Sequence, residues 1–149
     1  MADIKIKRIT EPMLCEIADI ERICFCSAAW SKKSLEILLS FQAVGFAAFI
    51  GDRLIGYVGM MTVLDEGQIT NVAVLPEFRR MGVARALLEE LERFAVSVGI
   101  VFLSLEVRRS NEAARSLYSS NGWIVAGERR GFYSAPIEDA VVMTKTLEK

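Results

Sequence analysis

The stretch Val72-Ala73-Val74-Leu75-Pro76-Glu77-Phe78-Arg79-Arg80-Met81-Gly82-Val83-Ala84-Arg85-Ala86-Leu87-Leu88 changes its hydrophobic period halfway along. Its first residues end an apolar run over Gln68–Leu75 that reads as a β-strand, stopped by Pro76. Its last residues open a stripe of Ala84, Leu87, Leu88, Leu91, Phe94, Ala95 and Val98, spaced 3, 1, 3, 3, 1 and 3 apart. That spacing is one face of a helix. Arg85–Glu89 and Glu89–Arg93 form i,i+4 pairs on its solvent side, and Gly99 stands at the C′ position. Between strand and helix lies a short basic loop, Arg79-Arg80-Met81-Gly82. Ile100–Val107 reads as the next strand, so strand, helix and strand imply a parallel crossover.

Upstream, Ile4 and Ile6 alternate with lysines and predict a first strand. Met13, Ile17, Ile20 and Cys24 recur at helical spacing between Pro12 and Phe25. Ser31 is an N-cap for a second helix, with Trp30 and Leu35 at the positions of a hydrophobic staple. Val44–Ile50, the turn Gly51-Asp52, Arg53–Val63, the turn Asp65-Glu66-Gly67 and Gln68–Leu75 predict an antiparallel meander. Downstream, Ser110–Asn121 reads as a helix with Gly122 as its cap, and Trp123–Ala126 and Glu138–Leu147 read as two strands. The order β-α-α-β-β-β-α-β-α-β-β predicts an α/β (α+β) fold: a mixed, mostly antiparallel central sheet with helices on both faces.

Composition narrows the chemistry. With 149 residues and no shift of composition along the chain, residues 1–149 are expected to form one domain. Lys and Arg number 18 against 19 Asp and Glu, so the net charge of −1 offers no basic footprint for nucleic acid. Histidine is absent, which excludes Ser-His-Asp and Cys-His catalysis and His-ligated zinc. The three cysteines, Cys15, Cys24 and Cys26, are too few and odd in number for a disulfide scaffold, and no metal is expected. Their usage fits a reduced, cytoplasmic protein with buried or inert thiols. The N-terminal residues alternate charged and apolar side chains, so no signal peptide is expected. The longest apolar run, Ala43 to Ile50, is far shorter than the ~18 residues of a membrane span.

The basic loop carries the chemistry. A helix start leaves backbone N–H groups unpaired and bears about half a positive charge. Gly82 lets backbone approach a ligand closely, and Ala84 keeps the next turn small. Arg79, Arg80 and Arg85 add cations at the positive end of the dipole, and a bound anion resolves that repulsion. The pattern is neither a P-loop nor a dinucleotide fingerprint.

Arg79-Arg80-Met81-Gly82-Val83-Ala84 matches the [QR]-x-x-G-x-[GA] signature of the GNAT superfamily of N-acetyltransferases, and the flanking residues and element order resemble that family throughout. Leu105-Glu106-Val107-Arg108, the segment from Asn111 to Tyr118, and Asn121-Gly122-Trp123 resemble its bacterial ribosomal-protein-alanine N-acetyltransferases. The resemblance implies a GNAT-like acyl-CoA N-acyltransferase fold. The anion is then the pyrophosphate of acetyl-CoA, held by the loop and the first turn, Arg79, Arg80, Met81, Gly82, Val83, Ala84 and Arg85. Val72, Ala73 and Val74 would present backbone groups to the pantetheine arm and thioester, and Asn111 would contact the coenzyme. Trp30, Phe132 and Tyr133 would line the acceptor groove.

Glu106 alternates away from Leu103, Leu105 and Val107 near the C-terminal end of its strand, where open α/β sheets bind ligands. With no histidine, it is the candidate general base, and Tyr118 the candidate general acid toward the coenzyme thiolate. An α-amine titrates near 8 and lysine near 10.4, so deprotonating lysine near neutral pH costs roughly 3 kcal/mol more. A single Glu base therefore suits a protein N-terminus. The expected activity is direct transfer of acetyl to an N-terminal amine, preferentially alanine of a small-subunit ribosomal protein, by a monomer or weak dimer with no nucleic-acid or membrane partner. The alternatives are a small-molecule or other peptide amine as acceptor and, in another class, a non-catalytic acyl-CoA sensor. A thiol nucleophile at Cys24 or Cys26 would imply an acyl-enzyme but lacks a histidine to activate it.

Overall fold

The computed structural model describes residues 3–134 and 136–147. The elements are β1 (Ile4–Arg8), α1 (Leu14–Phe25), α2 (Lys32–Leu35), β2 (Ala43–Ile50), β3 (Arg53–Val63), β4 (Glu66–Val74), α3 (Val83–Ser97), β5 (Phe102–Arg108), α4 (Glu112–Ser120), β6 (Ile124–Tyr133) and β7 (Glu138–Thr146). They form one seven-stranded sheet in the order β1-β2-β3-β4-β5-β7-β6. The β4–β5 pair is parallel and the other pairs are antiparallel, which is the predicted mixed sheet.

Both faces are covered. On one, the α3 stripe buries Leu87, Leu88 and Leu91 against Val58, Met60, Leu103 and Leu105, and Tyr118 of α4 joins the same cluster. On the other, Leu14, Ile17 and Ile20 of α1 pack with Leu35, Leu38, Leu54 and Tyr57. Ser31 caps α2 as expected, its side chain accepting from the Ser34 N–H at 3.1 Å. Among the described residues no helix is long and apolar enough to cross a membrane.

Three of the boundaries that differ from the sequence reading bear on the fold. Pro12 sits in a separate 3-10 turn, Glu11–Met13, ahead of α1, because it lacks the N–H a helix interior needs. The β3–β4 turn is Leu64-Asp65, with Val63 pairing Glu66 directly. Gly67 lies inside the ladder because a Cβ there would come within 2.5 Å of the Met60 sulfur. Finally, β6 runs on to Tyr133 rather than ending at Ala126. It is the sheet's edge, pairs only with β7 through two irregularities, and is exposed along most of its length, so its sequence lacks an alternating apolar signal.

One feature of the sheet makes the site. The β4–β5 ladder pairs Glu66, Gly67 and Gln68 with Phe102, Leu103 and Ser104, then stops, although β4 continues to Val74 and β5 to Arg108. The β3–β4 register slips at this level, Gly59 facing Asn71 but Met60 facing Ile69, which leaves Thr70 as an extra residue. Such a bulge bends its strand. The two strands diverge and open a cleft through the middle of the sheet.

Leu91 is fully buried on the α3 stripe. Leu91→Ala is expected to destabilise the fold by about 2–5 kcal/mol, read as a lower urea midpoint at unchanged slope.

Candidate active site

The cleft has a volume of about 1400 Å³ and is walled by β4 on one side, β5 on the other, the start of α3, α4, and the turns that carry Trp30 and Pro136. Of the residues singled out from sequence, Trp30, Val72, Ala73, Val74, Arg79, Arg80, Gly82, Val83, Ala84, Arg85, Glu106, Asn111, Tyr118 and Tyr133 line it. Met81 and Phe132 do not. The Met81 side chain is exposed, and Phe132 alternates with Tyr133 on the strand and faces outward under Arg129.

The α3 start has the backbone geometry expected of an anion cradle. Gly82 takes φ +83°, a left-handed conformation at no Cβ cost, and Arg80 also turns left-handed at φ 64°. The first α3 N–H that closes onto the chain is that of Ala86, which donates to the Gly82 carbonyl at 3.0 Å. The N–H groups before it keep the usual free direction of a helix start. The arginine side chains are arranged differently from the sequence picture of three free forks. Arg79 folds inward, its Nε donating to the Val74 carbonyl at 3.1 Å and its Nη2 lying 3.6 Å from the Cys24 sulfur. Arg85 pairs with Glu89 at 3.1 Å. Asn111 caps α4, its Oδ1 accepting from the Ala114 N–H at 3.1 Å, which leaves the amide nitrogen for other work.

Glu106 stands on the part of β5 released by the divergence. Strand alternation turns it away from Leu103, Leu105 and Val107, toward the sheet face that carries α1 and α2. Its side chain is 12% exposed. One oxygen, Oε1, accepts from Gln68 Nε2 at 3.3 Å and lies 3.9 Å from Arg129 Nη1. Among the described residues Oε2 has no hydrogen-bond donor, and Glu106 lines the cleft. Tyr118 comes from the opposite side, two turns after Asn111, its ring tilted against Trp123 at 5.8 Å between centroids. Burial first, and then the nearby Tyr133 phenol, push its pKa up to about 12, so its hydroxyl keeps its proton where an ordinary tyrosine begins to ionise. Burial and then the Glu106 charge likewise raise Tyr133, against the Arg108 guanidinium that stacks 4.4 Å from its ring.

Two features went unread in the sequence. Glu21, on α1, is 1% exposed and lines the cleft. The available signal was its place four residues after Ile17 on an apolar helix face, an unusual position for a carboxylate. On the other wall, Arg108 Nη1 donates to the Pro136 carbonyl at 3.1 Å and to Glu138 Oε1 at 3.2 Å, while Glu138 Oε2 accepts from the Ser110 N–H at 2.6 Å. Hydrogen bonds from Ser110, with lesser help from Arg108, hold the Glu138 carboxyl below the usual range. No local pattern announces that long-range link. The thiols were expected to be buried or inert. In fact Cys15 and Cys26 are exposed, while Cys24 is half-buried and burial raises its pKa.

Comparison with known proteins agrees with this arrangement. Residues 14–123 match the model of the acetyltransferase (GNAT) family. The chain is 38% identical over 116 residues to the [ribosomal protein bS18]-alanine N-acetyltransferase of Salmonella typhimurium, covering 76% of this chain and 78% of that one. It superposes on the crystal structure of the ribosomal-protein-S18-alanine N-acetyltransferase from Escherichia coli with a TM-score of 0.91 at 31% identity, over 99% of this chain and 96% of the other. It shares its fold with the PaiA N-acetyltransferase of Thermoplasma acidophilum in complex with coenzyme A, at a TM-score of 0.80 and 19% identity over 97% and 99% of the two chains. The divided sheet, the anion cradle and these matches together show that the chain belongs to the GNAT family and is an acetyl-CoA-dependent N-acetyltransferase.

Proposed function

We propose that the acceptor is the α-amino group of a protein N-terminus, with the N-terminal alanine of a small-subunit ribosomal protein preferred. The substrate named for the relatives supports this reading. So does the acceptor side of the cleft, where one carboxylate with a free oxygen serves a chain that has no histidine. That single base is matched to an amine titrating near 8 and poorly matched to lysine near 10.4. We place the enzyme in the cytoplasm as one domain over residues 1–149.

The coenzyme reading is supported by the α3 start, where a left-handed glycine and the N–H groups before Ala86 suit a pyrophosphate, and by a cleft of about 1400 Å³ bordered by β4 for the pantetheine arm. Acetyl-CoA supplies an acetyl group activated as a thioester. Val72, Ala73 and Val74 offer main chain to it where β5 has withdrawn, and an N–H there would stabilise the oxyanion. Asn111 contributes its amide nitrogen. Glu106 Oε2 accepts a proton from the amine, directly or through water, as the N–C bond forms. Tyr118 delivers its proton to the sulfur as the C–S bond breaks. Trp30 and Tyr133 stand on the walls of the acceptor half. Direct attack is favoured over an acyl-enzyme because burial raises the Cys24 pKa and depletes its thiolate, and its sulfur is engaged with the Val74 carbonyl at 3.5 Å.

A panel of peptides with free and blocked N-termini, incubated with acetyl-CoA, is expected to show a gain of about 42 Da, the mass of an acetyl group replacing hydrogen, on free N-terminal alanine alone. Glu106→Gln and Tyr118→Phe are each expected to lower kcat about 100-fold or more while coenzyme A affinity, by calorimetry, stays within about twofold. Because the Tyr118 pKa is near 12, its protonated, donating form persists at alkaline pH. The kcat profile should therefore show no Tyr118-dependent decline up to about pH 10, the range over which an ordinary tyrosine would begin to ionise. Gly82→Ala places a Cβ at positive φ, a strain of about 1–2 kcal/mol, and should weaken coenzyme A binding by about tenfold.

A further inference from the structure

Glu21 has no part in the proton transfers described above, yet it is the most deeply buried carboxylate at the cleft. A carboxylate taken out of water needs donors. Glu21 has two, and they come from different parts of the molecule. Its Oε1 accepts from the Trp30 backbone N–H at 2.9 Å, and its Oε2 accepts from the Tyr57 hydroxyl at 2.5 Å. Tyr57 is fully buried on β3, where it pairs with Ala73 of β4, one of the strands that border the cleft. Glu21 therefore joins the turn between α1 and α2, which carries Trp30, to the strand beside the cleft floor. The turn includes a 3-10 segment, Cys26–Ala28, without a side-chain cap, and the Trp30 ring packs against the α1-side core. Cys26, in the same turn, sits at positive φ, which a non-glycine residue adopts only under constraint.

We propose that Glu21 is a positioning residue for the acceptor. It fixes the main chain at Trp30 and so sets the wall of the acceptor half of the cleft. Among the described residues, the hydrogen bonds of this clasp reach Trp30 and β3 and none reaches the α3 start or α4. The inference rests on the acceptor reading given above. It also makes the carboxylate's geometry, rather than its charge, the operative property. A carboxamide at this position can accept the Trp30 N–H through its oxygen and donate to the Tyr57 oxygen through its nitrogen.

Three readouts test this: KM for an N-terminal peptide, coenzyme A affinity by calorimetry, and exchange of the Trp30 amide hydrogen by NMR. Glu21→Ala is expected to raise the peptide KM about tenfold or more and speed Trp30 exchange, with coenzyme A affinity within about twofold. Glu21→Gln is expected to return the peptide KM to within about threefold of the parent. An unchanged peptide KM in Glu21→Ala would overturn the proposal. So would a parallel fall in coenzyme A affinity, which marks general loss of fold. Equal damage by Gln and Ala would overturn it too, since charge would then be the operative property. If Glu21→Ala does not fold, Tyr57→Phe removes one arm of the clasp, and the same split is expected at smaller size; an unchanged peptide KM there overturns the inference. If the parent enzyme acetylates no N-terminal peptide, the acceptor reading is what fails. Trp30 exchange then judges the clasp alone, and retained protection in Glu21→Ala, or in Tyr57→Phe where that variant replaces it, would refute it.

Discussion

The divergence of β4 from β5 is the constraint on which the rest of the molecule depends. Two parallel strands that stay paired satisfy each other's backbone groups and leave nothing for a ligand. Here the pairing ends at Gln68 and Ser104, and the bulge at Thr70 bends β4 away. Ala73 and its neighbours are left with main chain facing a gap. Glu106 lies on the freed end of β5, and α3 begins just beyond the end of β4. The Glu106 carboxylate, an open stretch of backbone and a helix start thus meet at one place because one ladder is cut short.

Carboxylates organise both walls of that gap, and neither is the proposed base. Glu21 gathers Trp30 and Tyr57 on the α1 side. Glu138 gathers Ser110 and Arg108 on the β7 side, and Arg108 in turn holds the Pro136 carbonyl and stacks on Tyr133. Loops are normally the softest part of a fold. These are pinned by charge-assisted hydrogen bonds, which are shorter and stronger than neutral ones. The division leaves Glu106 with an oxygen free, because structural tasks fall to other acids.

The period change around Pro76 made the crossover and the long helix readable, since both are local patterns of side-chain spacing. The Ser31 cap was readable for the same reason: a cap needs only its own next turn. Glu106 and Tyr118 emerged from strand alternation, helical spacing and family likeness together. What escaped was long-range. The Glu21–Tyr57 contact spans 36 residues, and the Arg108–Glu138 contact 30. The inward fold of Arg79 onto Val74 also depends on Cys24, far upstream, lying against it. The exposed β6 edge escaped because a strand that buries little carries no apolar rhythm to read.

The short parallel ladder has a mechanical meaning. Strands β1 to β4 form one antiparallel leaf and β5 to β7 another, and the seam between them carries three register pairs, helped by α3 and by the Glu92–Lys145 bridge at 2.7 Å. The cleft lies along that seam where the rungs are missing, so a ligand filling it would touch both leaves. Occupancy of the cleft and cohesion of the two leaves therefore draw on the same free energy. The fold thus joins its two leaves by the fewest rungs along the very line where its cleft opens.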